Sequence, residues 1–302
     1  MIVTVTPNPA VDHTLQVDAL PASGAVARTG SAHLDAGGKG INVSKYLAEL
    51  ETDTVATGFV GDVLGAFIRN RLDRDGIVND FVEIGDCTRL NTTILTDDEE
   101  YKFNQRGPTV DSAAVDDVIE TIAEYDPSMV VIAGSQPPGI GPEHLDRIAR
   151  GGSWETAVDV GGDTLRELET GYTFCKPNRE ELADATGRSV ETLDECLVAA
   201  EALRKQGFTR VVASLGADGA VMATPERALH APAVDIDVVD TVGAGDALLA
   251  GVLSELERGN SEQEALRAGV VAASCAVEVP GTNVPTFSER QIAVETVSIS
   301  AR

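Results

Sequence analysis

Asp240-Thr241-Val242-Gly243-Ala244-Gly245-Asp246 follows a β-type run and opens into the apolar segment Ala247–Leu256, and its reading decides the fold. A glycine turn that delivers the chain onto a helix start presents backbone N–H groups without intrahelical partners, and the helix dipole adds positive potential there. Such an end favours an anion. Gly243, Ala244 and Gly245 supply the donors, and Asp246 sets a carboxylate beside them. The combination suits holding a phosphate and removing a proton. Taken alone, a Gly-rich turn is most often a plain tight connection. Two familiar phosphate loops are excluded by spacing. Gly243-Ala-Gly245-Asp-Ala-Leu248 lacks the third glycine of a dinucleotide fingerprint, and G-x-x-x-x-G-K-[ST] occurs nowhere in the chain.

A second segment of the same kind lies near the other end, where Ala36-Gly37-Gly38-Lys39-Gly40-Ile41-Asn42 runs into Val43–Leu50. Ile41, Tyr46, Leu47 and Leu50 give a partly helical apolar period, so this glycine run also delivers donors onto a helix start. Two such starts imply two phosphorylated ligands.

The charge balance narrows the partners. Acids number 49 and bases 23, giving a net charge of −26, and the bases divide into five lysines and eighteen arginines. The field of such a chain repels nucleic acid and acidic membranes. A surface this acidic and poor in lysine suits concentrated salt, where the Debye length falls to about 3 Å at 1 M and self-repulsion is screened. A salt-adapted, halophilic protein is the expectation. No run approaches 18 apolar residues, and Met1–Pro7 has neither the basic start nor the length of a signal peptide, so a cytoplasmic protein is expected. Cys87, Cys175, Cys196 and Cys275 form no CxxC pair and are assigned neither zinc nor a disulfide framework.

Between the glycine segments the pattern alternates. Strands are expected at Met1–Val5, Thr54–Val60, Phe81–Ile84, Met129–Ala133, Thr156–Val160, Thr173–Lys176, Arg210–Ser214 and Gly219–Ala223. Helices are expected at Leu64–Arg74, Ala113–Glu124, Glu143–Arg150, Glu180–Ala185, Leu193–Gln206, Gly245–Arg258, Ser261–Val277 and Glu289–Val297. This alternation specifies a mostly parallel sheet flanked by helices, with sites at the carboxyl ends of strands. Two polar-faced β excursions interrupt it. One runs through His13–Leu20 and Ala25–Leu34, the other through Arg89–Thr96 and Tyr101–Asn104. They are read as a small β lid, inserted from about 11–35 and 85–105 into a single domain spanning 1–302.

Together the two glycine segments, about 200 residues apart, and the intervening Lys176-Pro177-Asn178-Arg179-Glu180-Glu181 resemble the ribokinase-like, PfkB-type carbohydrate kinases. The resemblance covers essentially the whole chain. It implies a three-layer α/β/α sandwich with a mostly parallel central sheet and a small β lid, ATP as co-substrate, Mg²⁺, and room for K⁺. Thr6-Pro7-Asn8-Pro9-Ala10-Val11-Asp12, Gly37–Gly40 and Thr88-Arg89-Leu90-Asn91 look most like the branch acting on phosphorylated ketohexoses. Some members of that branch carry glycine in place of Lys39. The leading expectation is therefore phosphorylation of fructose 1-phosphate at O6, with tagatose 6-phosphate or fructose 6-phosphate phosphorylated at O1 as the alternative. A kinase of unphosphorylated sugar, or a regulator that binds without turnover, ranks lower.

Residue by residue, the resemblance makes Asp246 the general base and Gly243, Ala244 and Gly245 the anion hole. The helix start should keep Asp246 ionised, a weak base that largely dissociative phosphoryl transfer tolerates. Asp12 orients the acceptor together with Gly37, Gly38 and Asn42, while Lys39 and Arg89 take its existing phosphate. Arginine suits bidentate phosphate binding and lysine acts as a point charge. Arg28 and Arg106 sit in or beside the lid. Asn178 and Glu181 match an N-x-x-E element linked to Mg²⁺ through water. Lys176, Ser214, Gly216, Gly219 and Asn283 are expected near the nucleotide. Gln136 stands where leucine is more usual, and Ala247 replaces a common serine. Relatives pair through the lid, so a homodimer is expected.

Overall fold

The computed structural model describes residues 1–169, 171–279, 281, 283–287 and 297–301. The expected helix Glu289–Val297 lies outside this set apart from Val297. The first half of the chain forms β1 (Ile2–Thr6), β2 (Ala10–Gln16), β3 (Ser31–Gly37), α1 (Lys39–Glu49), β4 (Thr54–Val60), α2 (Asp62–Arg74), β5 (Val82–Glu83), β6 (Arg89–Leu95), β7 (Glu100–Asn104), α3 (Ser112–Glu124), β8 (Met129–Ala133) and α4 (Pro142–Ala149). The second half forms β9 (Glu155–Asp159), α5 (Gly162–Glu167), β10 (Tyr172–Cys175), α6 (Arg179–Thr186), α7 (Leu193–Arg204), β11 (Phe208–Ser214), β12 (Ala220–Ala223), β13 (Ala228–Ala231), α8 (Ala244–Glu257), α9 (Glu262–Ala276) and β14 (Ser300–Ala301).

β1 is a β-branched run, Ile-Val-Thr-Val-Thr, buried along its whole length, as a strand covered on both faces must be. It lies inside a ten-stranded sheet of order β14-β13-β12-β11-β10-β9-β8-β1-β4-β5. From β5 to β11 the neighbours run parallel, and β12, β13 and β14 complete one edge antiparallel. Alternation of side chains divides the core. Val3, Val5, Val130 and Ile132 pack with Val115 of α3, Leu145 of α4, Leu182 of α6 and Ala199 of α7. Ile2, Met129 and Val131 pack on the opposite face with Val43 of α1, Leu248 of α8 and Leu266 of α9. The result is the α/β/α sandwich.

A separate four-stranded sheet, β3-β2-β6-β7, stands off the main one. β2 pairs antiparallel with β3 and parallel with β6, placing Asp12 between Asp35 and Asn91. A third apolar cluster, with Val11, Ala36, Ile41, Ile68 and Leu72, seats this sheet on α1 and α2.

Three local expectations are corrected. The extended stretch placed at Ala25–Leu34 lies later, as β3 over Ser31–Gly37, because Ala25–Gly30 is exposed and finds no partner strand. Its partner β2 begins at Ala10 rather than His13. α5 and β13 went unread, being short and bounded by glycine, proline or charge.

Candidate active site

The carboxyl ends of the parallel strands and the starts of α1, α6 and α8 converge on one region. At α8, Gly243 is the N-cap with φ +79°, a left-handed conformation that glycine adopts without strain, and no side chain caps this helix end. A Cβ there would lie 2.9 Å from the Tyr46 hydroxyl, and one on Gly245 would lie 3.1 Å from Lys176 Nζ. The backbone of Gly243–Gly245 and a lysine ammonium therefore lie beside one another.

Asp246, in the first turn of α8, is only 6% exposed. Asn42 Nδ2 donates to its Oδ2 at 2.9 Å. Burial pushes its carboxyl up to about 6, helped by the Asp159 charge and opposed by the Asn42 hydrogen bond and the charges of Lys176 and Lys39. The expectation of an ordinary, weakly basic aspartate is thus corrected. The helix end favours the anion, but loss of water outweighs it.

At α1, the backbone of Gly38 and Gly40 lies against β1, and Ile41 N donates to Thr6 Oγ1 at 2.9 Å. Gly37 ends β3 beside Asp12, where a Cβ would fall 1.9 Å from Asp12 Oδ2. Only glycine leaves that carboxylate its place. Asn91 Nδ2 donates to Asp12 Oδ1 at 3.0 Å from the neighbouring strand. Burial raises the Asp12 carboxyl, while Asn91 and Arg89 act to lower it.

Lys39, the first residue of α1, is not a free cation. Its Nζ donates to Asp159 Oδ1 at 2.8 Å and lies 3.8 Å from Glu181 Oε1. Lys176 Nζ is 3.1 Å from Asp159 Oδ2, an ion pair that leaves Oδ2 short of a well-aligned hydrogen bond. Burial alone would raise the Asp159 carboxyl, yet the two ammonium groups hold it below the usual aspartate range. Sequence reasoning missed Asp159. The available signal was an acid at the carboxyl end of a parallel strand, with Val160 and then Gly161-Gly162 after it.

Arg89 is half-buried and also engaged. Its Nε and Nη2 donate to the Asn8 carbonyl at 3.2 and 2.8 Å, and its Nη1 donates to the Gln105 carbonyl at 3.3 Å. Arg28 and Arg106 are exposed. Gln136 bonds the Gly134 carbonyl and accepts from Thr164 Oγ1 at 3.1 Å, so its polar end is used locally.

Asn178 and Glu181 form a reciprocal cap on α6. Asn178 Oδ1 accepts from Glu181 N and Glu181 Oε2 accepts from Asn178 N, each at 2.8 Å. No group of three or more His, Cys, Asp or Glu able to cage a metal occurs among the described residues. Ser214 ends β11, and its N–H donates to the Pro177 carbonyl at 3.1 Å, joining this strand end to the Lys176–Glu181 segment. Gly216 opens the following 3-10 turn, and Gly219 closes it. Asn283 is not brought to this group. It lines another cleft with Asp35, Lys45, Glu49, Arg71 and Asp75.

Buried side-chain polar atoms without a hydrogen-bond partner each cost desolvation unless a ligand or a water supplies one. Among the described residues these are Asn8 Oδ1, Asn42 Oδ1, Tyr46 Oη, Asn91 Oδ1, Asp159 Oδ2 and Trp154 Nε1. All but Trp154 belong to this region.

The family described as pfkB family carbohydrate kinase matches residues 5–289. A 1-phosphofructokinase of Haloferax volcanii is 52% identical over 289 residues, covering 96% of this chain and 95% of that protein. A D-tagatose-1-phosphate kinase of Bacillus licheniformis is 34% identical, covering 91% of each. Among solved structures, phosphofructokinase-2 from Escherichia coli in complex with potassium superposes with a TM-score of 0.90 at 26% identity, covering 97% of this chain and 98% of that one. The sequence motifs, the sheet order and these matches agree, and the chain belongs to the pfkB family of carbohydrate kinases.

Proposed function

We propose that this chain transfers the γ-phosphoryl group of ATP to O6 of fructose 1-phosphate, giving fructose 1,6-bisphosphate and ADP. The observation that carries the reading is the buried Asp246, held by Asn42 at 2.9 Å beside the uncapped start of α8. The similarity to 1-phosphofructokinases supports the choice of acceptor.

Asp12, supported by Asn91, and Asn42 orient the sugar hydroxyls. Asp246 takes the proton of the O6 hydroxyl as the new O–P bond forms and the bond to the ADP oxygen breaks. Gly243, Ala244 and Gly245 donate N–H groups to the charge on the moving phosphoryl, with the Lys176 ammonium beside them. The acceptor's own phosphate is assigned to Lys39 and Arg89, which must turn part of their donor capacity from Asp159 and from the Asn8 and Gln105 carbonyls. Ser214, Gly216 and Gly219 border the nucleotide.

Asn178 and Glu181 fit a hydrated Mg²⁺, with Glu181 holding its water shell when the ion is bound. The ion supplies charge neutralisation to the nucleotide phosphates. Glu181→Gln should raise the Mg²⁺ concentration needed for half-maximal rate. A K⁺ requirement is proposed by likeness to the potassium-bound neighbour, and rates in KCl against NaCl test it.

The four-stranded sheet is assigned as a lid and dimer surface. Leu34 and Phe103, both exposed, share with Leu15 and Ile94 the face opposite Asp12 and Asn91, and a second copy would cover it. Phe103→Asp should yield monomers in sedimentation. The charge of −26 supports salt adaptation, tested by dialysis into low salt with activity and melting temperature followed together.

The deciding assay measures Mg²⁺-dependent ADP release in high salt with fructose 1-phosphate, fructose 6-phosphate, tagatose 6-phosphate and fructose. A kcat/KM preference for fructose 1-phosphate is expected. Preference for another acceptor, or absence of turnover in a folded protein, overturns the proposal.

A further inference from the structure

Tyr46 lies on α1 one turn beyond Asn42, so both side chains rise on the same helical face toward α8. Its ring is 1% exposed, belongs to the apolar cluster shared by α1, α8 and α9, and sits 6.3 Å from the Phe287 ring. A phenylalanine would satisfy all of that packing. The hydroxyl is the unexplained part. It is buried, it has no hydrogen-bond partner, and it lies 2.9 Å from the position a Cβ would take on Gly243, the N-cap of α8. Burial and the nearby Asp246 charge both raise the phenol's pKa, so it stays protonated and acts as a donor in want of an acceptor.

We propose that the Tyr46 hydroxyl is a further donor to the phosphoryl group held at the start of α8, supplied from α1 alongside the backbone N–H groups of Gly243–Gly245. The inference rests on the reading of that helix start as the anion hole. A donor fixed by ring packing, with no protein acceptor to release, needs no reorganisation when an anion arrives. The sequence reading placed Tyr46 only among the apolar residues of the helix, which accounts for its ring and leaves its oxygen idle.

Tyr46→Phe removes one oxygen and keeps the ring. Expected is a fall in kcat of about 10- to 100-fold with KM for fructose 1-phosphate changed less than about twofold. Added ATP analogue with a non-transferable γ-phosphate should raise the melting temperature less in the variant than in the parent, while the unliganded variant melts no lower. A kcat within twofold of the parent, or an undiminished ligand-induced shift, overturns the proposal and leaves an ordered water as the acceptor. Phe287→Leu loosens the same ring without touching the hydroxyl; an equal loss of kcat there would make packing the cause and also overturn it. Gly245→Val separates the two readings. Full turnover in that variant would end the anion-hole assignment, whatever Tyr46→Phe does.

Discussion

Lys39 and Asp159 form a hydrogen-bonded ion pair of 2.8 Å in which the aspartate is wholly buried, with Lys176 on its other oxygen. One carboxylate thus fixes two of the chain's five lysines, Lys39 half-buried and Lys176 buried. A lysine drawn against a buried acid is held in place before any phosphate arrives, and the acid keeps the summed positive charge small.

Asp159→Asn should be strongly destabilising, by about 3–5 kcal/mol, because two cations lose their buried counter-charge. The native carboxyl lies below its unfolded value, so the stability it contributes is present above the unfolded pKa and fades as pH falls through the native one. Urea titrations of both proteins at neutral pH measure the difference. Destabilisation below 1 kcal/mol would mean that the lysines find other partners.

Asp246 must be ionised to accept a proton, so kcat/KM should fall about tenfold per pH unit below about 6, where its carboxyl titrates. The stability effect has the opposite sense. A carboxyl whose native pKa is raised favours folding at low pH, and that contribution is lost as pH rises from about 4, the unfolded value, through the native one. Asp246→Asn should therefore abolish turnover yet melt higher than the parent at pH 8, with the gap closing in acid. Thermal melts across pH check it, and an equal gap at every pH would contradict the assignment.

Gly37→Ala should act as a substitution of Asp12. Its Cβ would fall 1.9 Å from Asp12 Oδ2, so the carboxylate must swing away from Asn91. KM for the sugar phosphate is expected to rise about tenfold, the loss of one hydrogen bond to a charged group, with KM for ATP unchanged. Combining Gly37→Ala with Asp12→Ala should cost little more than Asp12→Ala alone, since both act on one contact.

Asn178→Ala removes one half of the reciprocal cap on α6 and should cost about 1 kcal/mol. If Glu181 is also released from its bond to Asn178 N, the Mg²⁺ requirement rises in the same variant. A stability loss with an unchanged Mg²⁺ titration would confine Asn178 to the cap.

The sequence made the sandwich legible because its buried strands are continuous β-branched runs and its helices carry caps and periodic apolar faces. Ser261-x-x-Glu264 and Thr192-x-x-Glu195 are capping boxes readable in the letters alone. Ala25–Leu34 misled because pairing, not composition, decides which part of a polar segment becomes a strand. Of the site, residues in glycine motifs could be found, since a backbone requirement leaves a local mark. Asp159 and the Tyr46 hydroxyl could not be read so directly. The significance of Asp159 arises from two lysines that only the fold brings to it, one of them 120 residues away, and that of the Tyr46 hydroxyl from the absence of a partner. The helix start at Asp246 could be read from the letters, but its raised carboxyl could not, because a helix start is local information and burial is not.

The smaller sheet has a mechanical consequence. Its two excursions leave the main body at separate points and meet in the parallel pairing of β2 with β6, which no hairpin can make. Arg89 staples two of the crossings together by gripping the Asn8 and Gln105 carbonyls. A flap on one hinge could flutter independently of what it covers. This plate is moored at several corners, so a displacement of any one of them would carry Asp12, Asn91 and the Gly37 strand end together.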